Sequence, residues 1–408
     1  MTDQNPQSSQ LFFATCPLGV ADLLAAELKS CGATRAREMK AGVQFEGTLE
    51  TAYRACLWSR TASRILMPIT QVAAHDANAM YQGLQRIDWS RHLSPSGTLA
   101  VDFQGTSLGV KHTQFGALKT KDAIVDQFRE KFGERPSVNT ETPDVRINVH
   151  AHREQATVSI DLSGDSLHRR GYRARGVAAP LKENLAAAIL LRAGWPSLAA
   201  TGATLIDPLC GSGTLVIEAA LMACDIAPGW LRMQHAHWGM IHWRGHDPSL
   251  WQRLLDELNE RAHVGKQTMR GRVLRGYDQD AFAVHAALDN SERAGLRGLV
   301  HFEKRNLSEL TNPSALPTTS ESTPQLSDFN QPAGLLVCNP PYGERLGEQD
   351  ALKSLYALLG VKLRQSFIGW KAAVFTGNPP LAKEIGINAK RSHTLYNGAL
   401  ECRLLRFD

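Results

Sequence analysis

Residues 335–343, Leu-Leu-Val-Cys-Asn-Pro-Pro-Tyr-Gly, bring an amide, a carbonyl and an aromatic ring close together. The apolar run 335–338 predicts a buried strand, and the two prolines after it predict a rigid turn. Asn339 Oδ1 and the Pro340 carbonyl could accept both N–H protons of a nucleobase amine, with Tyr342 stacked on the ring. The nitrogen lone pair would then be free to attack a methyl donor. Alone, these residues equally fit a strand that ends in an ordinary Pro-Pro turn. The candidate catalytic residues are Asn339, Pro340, Pro341 and Tyr342.

A second cluster, Asp-Pro-Leu-Cys-Gly-Ser-Gly-Thr at 207–214, lies between a predicted strand and a predicted helix. Its glycines let the backbone approach a ligand closely, at the position where open α/β sheets bind cofactors. The cluster is neither the dinucleotide fingerprint nor a P-loop. A carboxylate ahead of the glycines suits a cationic ligand such as the methionine part of S-adenosylmethionine; a tight strand-to-helix turn is the alternative. The candidate cofactor residues here are Asp207, Cys210, Gly211, Gly213 and Thr214.

Polar residues also follow the next two predicted strands. Asp278 follows the strand 272–277 and could accept both hydroxyls of a ribose. Asn306 follows the strand 300–303 and could pair with an adenine edge, or be a surface-loop asparagine. The Trp- and His-rich segment 228–246 separates Asp278 from the glycine loop. Its histidines fit no metal-ligand spacing, so we expect a packing insert near the rim of the active site.

Two basic stretches are candidates for contact with a phosphate backbone. Between Ser166 and Lys182 there are five Lys or Arg residues, one tyrosine and no acid. A solvated basic linker is the alternative interpretation. The second stretch, 111–121, lies on or near a predicted helix. The candidate contacts are Lys111, Lys119, Lys121, Arg169, Arg170, Arg173 and Arg175.

Composition narrows the class of protein. The 408 residues are 43% hydrophobic and 21% charged, which is typical of a globular protein of two or three domains. Seven dispersed cysteines without a C-x-x-C pair indicate reduced thiols and no zinc site. We find neither a membrane-length apolar run nor a signal-peptide pattern, so we expect a cytoplasmic protein with no membrane or metal partner. The net charge of +5 is compatible with a polyanionic partner.

Strand and helix patterns divide the chain into regions. Residues 1–64 and 65–165 each predict a small α+β unit, 166–178 is the basic linker, and 179–408 alternates strands with helices. The alternation predicts a parallel, doubly wound α/β sheet. The tail 394–402 predicts an antiparallel hairpin with a type I′ turn at Asn397-Gly398. A parallel sheet with such a hairpin is the arrangement of Rossmann-like class I methyltransferases. The Ser-, Thr- and Pro-rich segment 311–334 predicts a flexible insertion.

The blocks 207–214 and 339–346 resemble those of the THUMP-containing class I RNA methyltransferases, most closely the 23S ribosomal RNA guanine-N2 methyltransferases. Segment 115–126 is similar to the THUMP helix region of that family, 166–173 to its linker, and 179–184 to the segment that closes over the cofactor. These blocks occur in the order of the family, and the resemblance covers nearly the whole chain.

The resemblance implies a ferredoxin-like domain, a THUMP domain that grips RNA and a catalytic domain that uses S-adenosylmethionine. It also implies that Pro180 and Asn184 contact the cofactor, and that a monomer methylates the N2 of a guanine in 23S ribosomal RNA. Asn306 stands where relatives usually have aspartate. Some relatives carry a second methyltransferase domain, so a chain that ends at Asp408 is expected to perform one methylation only.

The same motifs fit three other functions. A transfer RNA guanine is an alternative target, because related THUMP enzymes act there. An adenine-N6 DNA methyltransferase is possible because N-P-P-Y serves an adenine amine equally well; the THUMP-like region and the absence of a DNA-reading motif count against it. An RNA-binding or assembly factor with a vestigial site is the third, and the intact glycine loop counts against it.

Overall fold

The structure, a computed structural model, describes residues 8–173, 181–233, 237–269, 272–312, 334–343 and 349–407. The chain forms two compact units. The first comprises Met1–Cys16, Leu24–Arg169 and Arg232–Glu257, and the second comprises Pro17–Leu23, Arg170–Leu231 and Leu258–Asp408. Each unit is built on one β-sheet. Within the described ranges, no helix has both the length and the apolar character that crossing a membrane requires.

The N-terminal half of the chain alternates short strands with four helices. The strands are β1 (Gln10–Thr15), β2 (Arg35–Met39), β3 (Gly42–Gly47), β4 (Arg64–Ala73), β5 (Thr98–Ser107), β6 (Ser137–Val138), β7 (Val145–Arg153) and β8 (Gln155–Asp161). The helices are α1 (Ala21–Ser30), α2 (Leu49–Trp58), α3 (Ala77–Gln85) and α4 (Thr113–Phe132). Helix α2 begins at Thr48, whose side chain accepts from the Thr51 backbone N–H, as helix N-termini require.

All eight strands form one sheet in the order β2-β3-β1-β4-β8-β7-β5-β6. Strand β4 joins its two halves, because Leu66 pairs with Phe13 of β1 on one side and with Asp161 of β8 on the other. The two α+β regions predicted from the sequence therefore share a single sheet. Their predicted boundary, between residues 64 and 65, falls inside β4.

The C-terminal half contains seven strands and eight helices among the described residues. The strands are β9 (Thr204–Asp207), β10 (Leu274–Asp278), β11 (Val300–Lys304), β12 (Gly334–Cys338), β13 (Lys371–Thr376), β14 (Arg391–Asn397) and β15 (Leu400–Phe407). The helices are α5 (Glu183–Arg192), α6 (Trp195–Ala200), α7 (Thr214–Ala223), α8 (Pro228–Arg232), α9 (Pro248–Thr268), α10 (Ala281–Arg293), α11 (Gln349–Gln365) and α12 (Pro379–Ala382).

The second sheet has the order β11-β10-β9-β12-β13-β15-β14. Strands β9 to β13 are parallel, and β15 pairs antiparallel with both β13 and β14. The central strand β12 is buried throughout, as expected for a parallel sheet covered by helices on both faces. The predicted α/β class, with a parallel sheet and a C-terminal antiparallel hairpin, is confirmed.

The hairpin turn differs from the prediction. Asn397 pairs with Leu400, so the two-residue loop is Gly398-Ala399 and Asn397 is the last residue of β14. Gly398 has φ of +66°, whereas neither Asn397 nor Ala399 has a positive φ. A positive φ at the first loop residue only is the pattern of a type II′ turn, so the predicted type I′ turn at Asn397-Gly398 is wrong.

The Trp-rich insert packs into the first unit. Four backbone carbonyls, those of Ser163, Asp165, Ser166 and Arg169, accept from the buried Arg232 guanidinium at 2.9–3.2 Å. The ring of Trp238 covers that guanidinium at 4.6 Å, and His246 Nδ1 lies 2.8 Å from the Tyr53 hydroxyl. The predicted packing role is therefore confirmed. Trp230, at the start of the insert, instead contacts the second unit: its Nε1 donates to Asn259 at 3.0 Å, and Lys266 lies over its ring at 4.3 Å.

Candidate functional site

Three predicted site residues lie at the carboxyl ends of neighbouring parallel strands. Asp207 ends β9, Asp278 ends β10, and Asn339 directly follows β12. Strand β9 lies between the other two, with Asp207 paired to Gly276 and Ile206 to Leu336. The sheet thus gathers residues that are far apart in the sequence. This edge is where open α/β sheets bind their ligands.

Asp278 fastens the glycine loop to the end of β10. Its Oδ2 accepts from the Gly211 N–H at 2.9 Å and its Oδ1 from the Asp280 N–H at 3.0 Å. The Cys210 N–H donates to the Tyr277 carbonyl at 2.8 Å. Each carboxylate oxygen keeps a second lone pair, so Asp278 can still accept hydroxyl groups from a ligand.

The two glycines of the loop have different surroundings. Gly211 has φ of +51°, and a Cβ built on it would meet nothing within 4 Å. Gly213 has φ of +82°, and its Cβ would lie 2.7 Å from the ring of Phe302. Gly213 is therefore required for packing, whereas Gly211 leaves open space beside the backbone. That space is what a closely bound cofactor needs.

Asp207 is almost completely buried, and its Oδ1 accepts from the Leu209 N–H at 3.0 Å. Burial raises the pKa of this carboxyl well above its usual value, and the nearby charge of Asp278 raises it further. A cationic ligand beside the two carboxylates would offset this repulsion and favour the charged form. A positively charged group beside the pair stays a prediction.

The side chain of Asn339 has an unsatisfied acceptor. Its Oδ1 is buried, and no donor among the described residues reaches it. Leaving such an acceptor unpaired costs about 1–3 kcal/mol, which a ligand that donates a hydrogen bond would recover. The neighbouring Pro340 has a backbone carbonyl but no N–H. Asn339 and Pro340 thus offer acceptors in succession.

Tyr342 is held from two sides. Its hydroxyl accepts from Asn397 Nδ2 at 3.3 Å. A Cβ built on Gly377, which follows β13, would lie 3.0 Å from the ring, so the ring rests on that backbone. Burial raises the pKa of the phenol, which remains neutral at physiological pH. Asn397 was not predicted as a site residue, because an Asn-Gly pair is also a turn signal.

In the described part of the basic stretch before α5, Arg169 is exposed but two other arginines are not. Arg170 is completely buried and pairs with Glu218 at 3.4 Å, and the Tyr172 hydroxyl donates to the same carboxylate. A phosphate cannot reach Arg170, so the prediction that it contacts RNA is wrong. The pattern could not show this, because Glu218 lies on α7 and only the fold brings it close.

Arg173 also faces inward. Its guanidinium donates to the Thr214 hydroxyl and, at 3.0 Å, to the Leu181 carbonyl, and it lies 3.0 Å from a Glu183 oxygen. These contacts tie the start of α7 to the segment before α5. The structure therefore places Arg173 beside the glycine loop, and its side chain is only 12% exposed. The prediction of an RNA contact is not supported for this residue.

The remaining predicted residues are scattered. Asn184 is buried on α5, whereas Asn306 is exposed before the short 3-10 turn Leu307–Glu309. Arg169 and Lys111 are exposed. Lys119 lies over the Tyr81 ring at 4.5 Å, and Lys121 pairs with Asp122 at 2.6 Å. Arg175 and Pro180 lie outside the described residues, as do most of the flexible insertion predicted at 311–334 and residues 344–346 of the second family block.

Three family models match consecutive parts of the chain. The "RlmL ferredoxin-like domain" matches residues 11–66, the "THUMP domain" residues 74–161, and the "RMKL-like, methyltransferase domain" residues 170–406. Together they account for both sheets. They agree with the resemblance found in the sequence.

Curated relatives are similar over almost the whole chain. The "Ribosomal RNA large subunit methyltransferase K/L" of Syntrophotalea carbinolica is 55% identical over 397 residues, 97% of this chain and 53% of the relative. That of Methylococcus capsulatus is 54% identical over 97% of this chain and 51% of the relative. The chain therefore spans about half the length of the curated relatives it matches.

Solved structures are similar over almost the whole chain. SMU.472, solved in complex with SAH, is 29% identical with a TM-score of 0.80, covering 98% of each chain. A protein from Listeria monocytogenes described as a predicted N6-adenine-specific DNA methylase is 26% identical with a TM-score of 0.81, covering 98% of this chain and 96% of the other. With its glycine loop, its sheet order and a family match over 170–406, this chain belongs to the RMKL-like methyltransferase family.

Proposed function

We propose that this protein transfers a methyl group from S-adenosylmethionine to the N2 amine of a guanine in large-subunit ribosomal RNA. The observation that carries the proposal is the buried Oδ1 of Asn339, which no described residue pairs, at the sheet edge that also holds the glycine loop. A bound ligand with an N–H donor would satisfy this acceptor. An exocyclic amine is such a donor, and it is also the group to be methylated.

The residues at the sheet edge fit the cofactor. S-adenosylmethionine would supply an electrophilic methyl group on a positively charged sulfur. Asp278 would accept the ribose hydroxyls, the open backbone at Gly211 would admit the ligand, and Asp207 would favour its positive charge. Cys210, Gly213 and Thr214 shape the same loop. Pro180, Asn184 and Asn306 complete the proposed set on the strength of the family resemblance.

The chemistry required of the protein is mainly positioning. Asn339 Oδ1 and the Pro340 carbonyl would each accept one N–H of the amine, so that the nitrogen lone pair points at the methyl group. Pro341 keeps the turn rigid, and Tyr342 would stack on a base flipped out of the RNA. The nitrogen forms a bond to the methyl carbon while the carbon–sulfur bond breaks. The surplus proton then leaves to water, so no strong base is needed.

The choice of RNA and of guanine rests on relatives. The curated relatives are named ribosomal RNA large subunit methyltransferases, and the first unit matches a THUMP domain. The name of the Listeria protein favours an adenine amine in DNA as the second candidate. Both substrates present an amine that the same acceptors would hold. Lys111, Lys119, Lys121 and Arg169 remain proposed RNA contacts, and cytoplasmic action on ribosomal RNA by a monomer is part of the proposal.

Replacing the Asn339 side chain tests the proposed mechanism. Asn339→Ala should lower methyl transfer to unmodified 23S ribosomal RNA by roughly 10²-fold or more and leave S-adenosylmethionine binding unchanged in calorimetry. Asn78→Ala changes an exposed asparagine of α3 and should alter neither quantity. Unchanged turnover in Asn339→Ala would remove this residue from the proposed mechanism.

A further inference from the structure

A cleft of about 590 Å³ opens on the first unit, and none of the residues given a role in the proposed function lines it. Strand β4 contributes residues 68–73 to its wall, and helix α3 and the turn after it contribute the rest. The polar side chains that line it include Gln71, Gln82, Arg86, Asp88, Arg91 and His92. These are hydrogen-bonding and charged groups, which suit a polar ligand.

The charge at the cleft is positive. Arg86 and Arg91 are exposed, and within the described ranges neither guanidinium has a carboxylate partner within 4.0 Å. The one acidic side chain in the lining, Asp88, is already paired: Lys131 Nζ lies 2.9 Å and the Ser90 hydroxyl 2.6 Å from its Oδ1. A third arginine, Arg244, donates to the Ser90 carbonyl at 3.0 Å beside the cleft. Two guanidinium groups are therefore available to an anionic ligand.

His92 adds a neutral donor. Its side chain is 8% exposed, and its Nδ1 lies 2.9 Å from Trp243 Nε1. Because an indole N–H can only donate, Nδ1 must accept, and the ring hydrogen therefore sits on Nε2. None of the hydrogen bonds between described residues uses Nε2, and that atom is not among the buried unpaired ones. His92 is among the residues that line the cleft, and no described residue accepts from this N–H.

Burial keeps this histidine uncharged. Removal from water, assisted by the charge of Arg91, lowers the pKa of His92 to about 4. At physiological pH the ring is thus a fixed N–H donor whose orientation Trp243 sets. Trp243 belongs to the Trp-rich insert, and its ring stacks on His92 with centroids 6.3 Å apart and planes 11° apart. The insert therefore supports one residue of the cleft wall, His92.

We propose that this cleft binds the phosphodiester backbone of the RNA substrate, through the guanidinium groups of Arg86 and Arg91 and the Nε2–H of His92. The inference rests on the proposed function, because it assumes that RNA is the substrate. Forked guanidinium groups match two oxygens of a phosphate, and a neutral imidazole N–H can bond a further oxygen. Such contacts fix the position of an RNA without reading its sequence. They also give the Trp-rich insert a role in substrate binding.

The test compares RNA affinity at several salt concentrations. The double variant Arg86→Gln/Arg91→Gln should bind unmodified 23S ribosomal RNA at least about 10-fold more weakly than the wild type in moderate salt. The slope of log affinity against log salt should become less steep by about 1.4–1.8, that is, 0.7–0.9 for each lost phosphate contact. Arg35→Gln/Lys40→Gln removes the same charge from exposed positions on and beside β2 and should leave both quantities near wild type.

A second variant tests the insert without changing the charge. Trp243→Phe keeps an aromatic ring but removes the donor that fixes the His92 tautomer, so RNA affinity should fall about threefold or more with the salt slope unchanged. Circular dichroism and S-adenosylmethionine binding confirm that each variant is folded. Wild-type affinity and slope in the double variant would overturn the inference alone. Failure of the wild-type protein to bind or methylate RNA would overturn the proposed function and the inference with it.

Discussion

The side chain of Asn397 donates a hydrogen bond from Nδ2 to the hydroxyl of Tyr342, 3.3 Å away. Asn397 ends β14 at the tip of the C-terminal hairpin, 55 residues after the tyrosine. On its other side the Tyr342 ring rests against the backbone at Gly377. The hairpin thus does more than close the sheet, because it sets the orientation of the ring proposed to stack on the target base.

Asn397 is expected to act as a positioning residue. Asn397→Ala should lower kcat about 10-fold, because the ring is no longer held, and leave the Kd for S-adenosylmethionine unchanged. Tyr342→Phe keeps the ring but removes the acceptor, so it should have a similar effect, and the double variant should be little worse than either single variant. Steady-state kinetics on the four proteins measure this coupling. Fully additive losses would show that the two side chains act independently.

Asp278 is expected to control cofactor affinity through two sets of contacts. Asp278→Asn replaces one carboxylate oxygen by an NH2 group, so either the Gly211 or the Asp280 N–H loses its acceptor. The same change removes acceptor capacity for a ribose hydroxyl, so the Kd for S-adenosylmethionine should rise at least about 10-fold. Asp280→Asn, two residues away, caps α10 through the Phe282 N–H and is the matched control. Titration calorimetry distinguishes the two variants. Equal affinities would contradict the assignment of Asp278.

Alanine at the two glycine positions of the loop should affect different properties, stability at Gly213 and cofactor binding at Gly211. At Gly213 a methyl group would meet the Phe302 ring at 2.7 Å, so Gly213→Ala should lower the free energy of unfolding by about 1–3 kcal/mol. At Gly211 the strain of the left-handed backbone costs about 1 kcal/mol, but the methyl group enters the space proposed for the cofactor. Thermal unfolding and cofactor binding, measured on both, should therefore rank the variants in opposite order.

The burial of His92 predicts that the folded protein loses stability in mild acid. Its pKa is about 4 in the folded protein and 6.5 in an unfolded chain, so between these values the unfolded state binds more protons. The free energy of unfolding should therefore fall as the pH is lowered from 6.5 to 4, by about 3 kcal/mol from this residue. His92→Gln should lack that part of the pH dependence. Urea unfolding of both proteins at pH 7 and pH 4.5 measures the difference.

The fold could be predicted from local patterns where those patterns were strong. Apolar runs such as 335–338 mark buried parallel strands, and the glycine loop marks a strand-to-helix turn, so the α/β class and the sheet edge followed from the sequence. The single sheet of the first unit did not, because β4 pairs with strands that lie far apart in the sequence. The turn at Gly398-Ala399 was not predicted either. Asn397 lies before that turn, and its side chain bonds Tyr342.

The sequence could predict which residues lie together where strand pattern alone places them, but not where an unseen partner does. Asp207, Asp278 and Asn339 lie together because the carboxyl ends of parallel strands share one edge. Arg170 and Arg173 looked like surface cations, and only the fold reveals their partners Glu218 and Glu183. The domain boundaries at 64/65 and 165/166 remain predictions.

The central claim is methyl transfer to the N2 of a guanine, and identification of the methylated nucleoside tests it most directly. The purified protein would be incubated with labelled S-adenosylmethionine and 23S ribosomal RNA from cells that lack the enzyme, with transfer RNA and DNA in parallel. After digestion, mass spectrometry should find N2-methylguanosine from the ribosomal RNA only. Label in N6-methyladenine, or in transfer RNA alone, would contradict the proposed function.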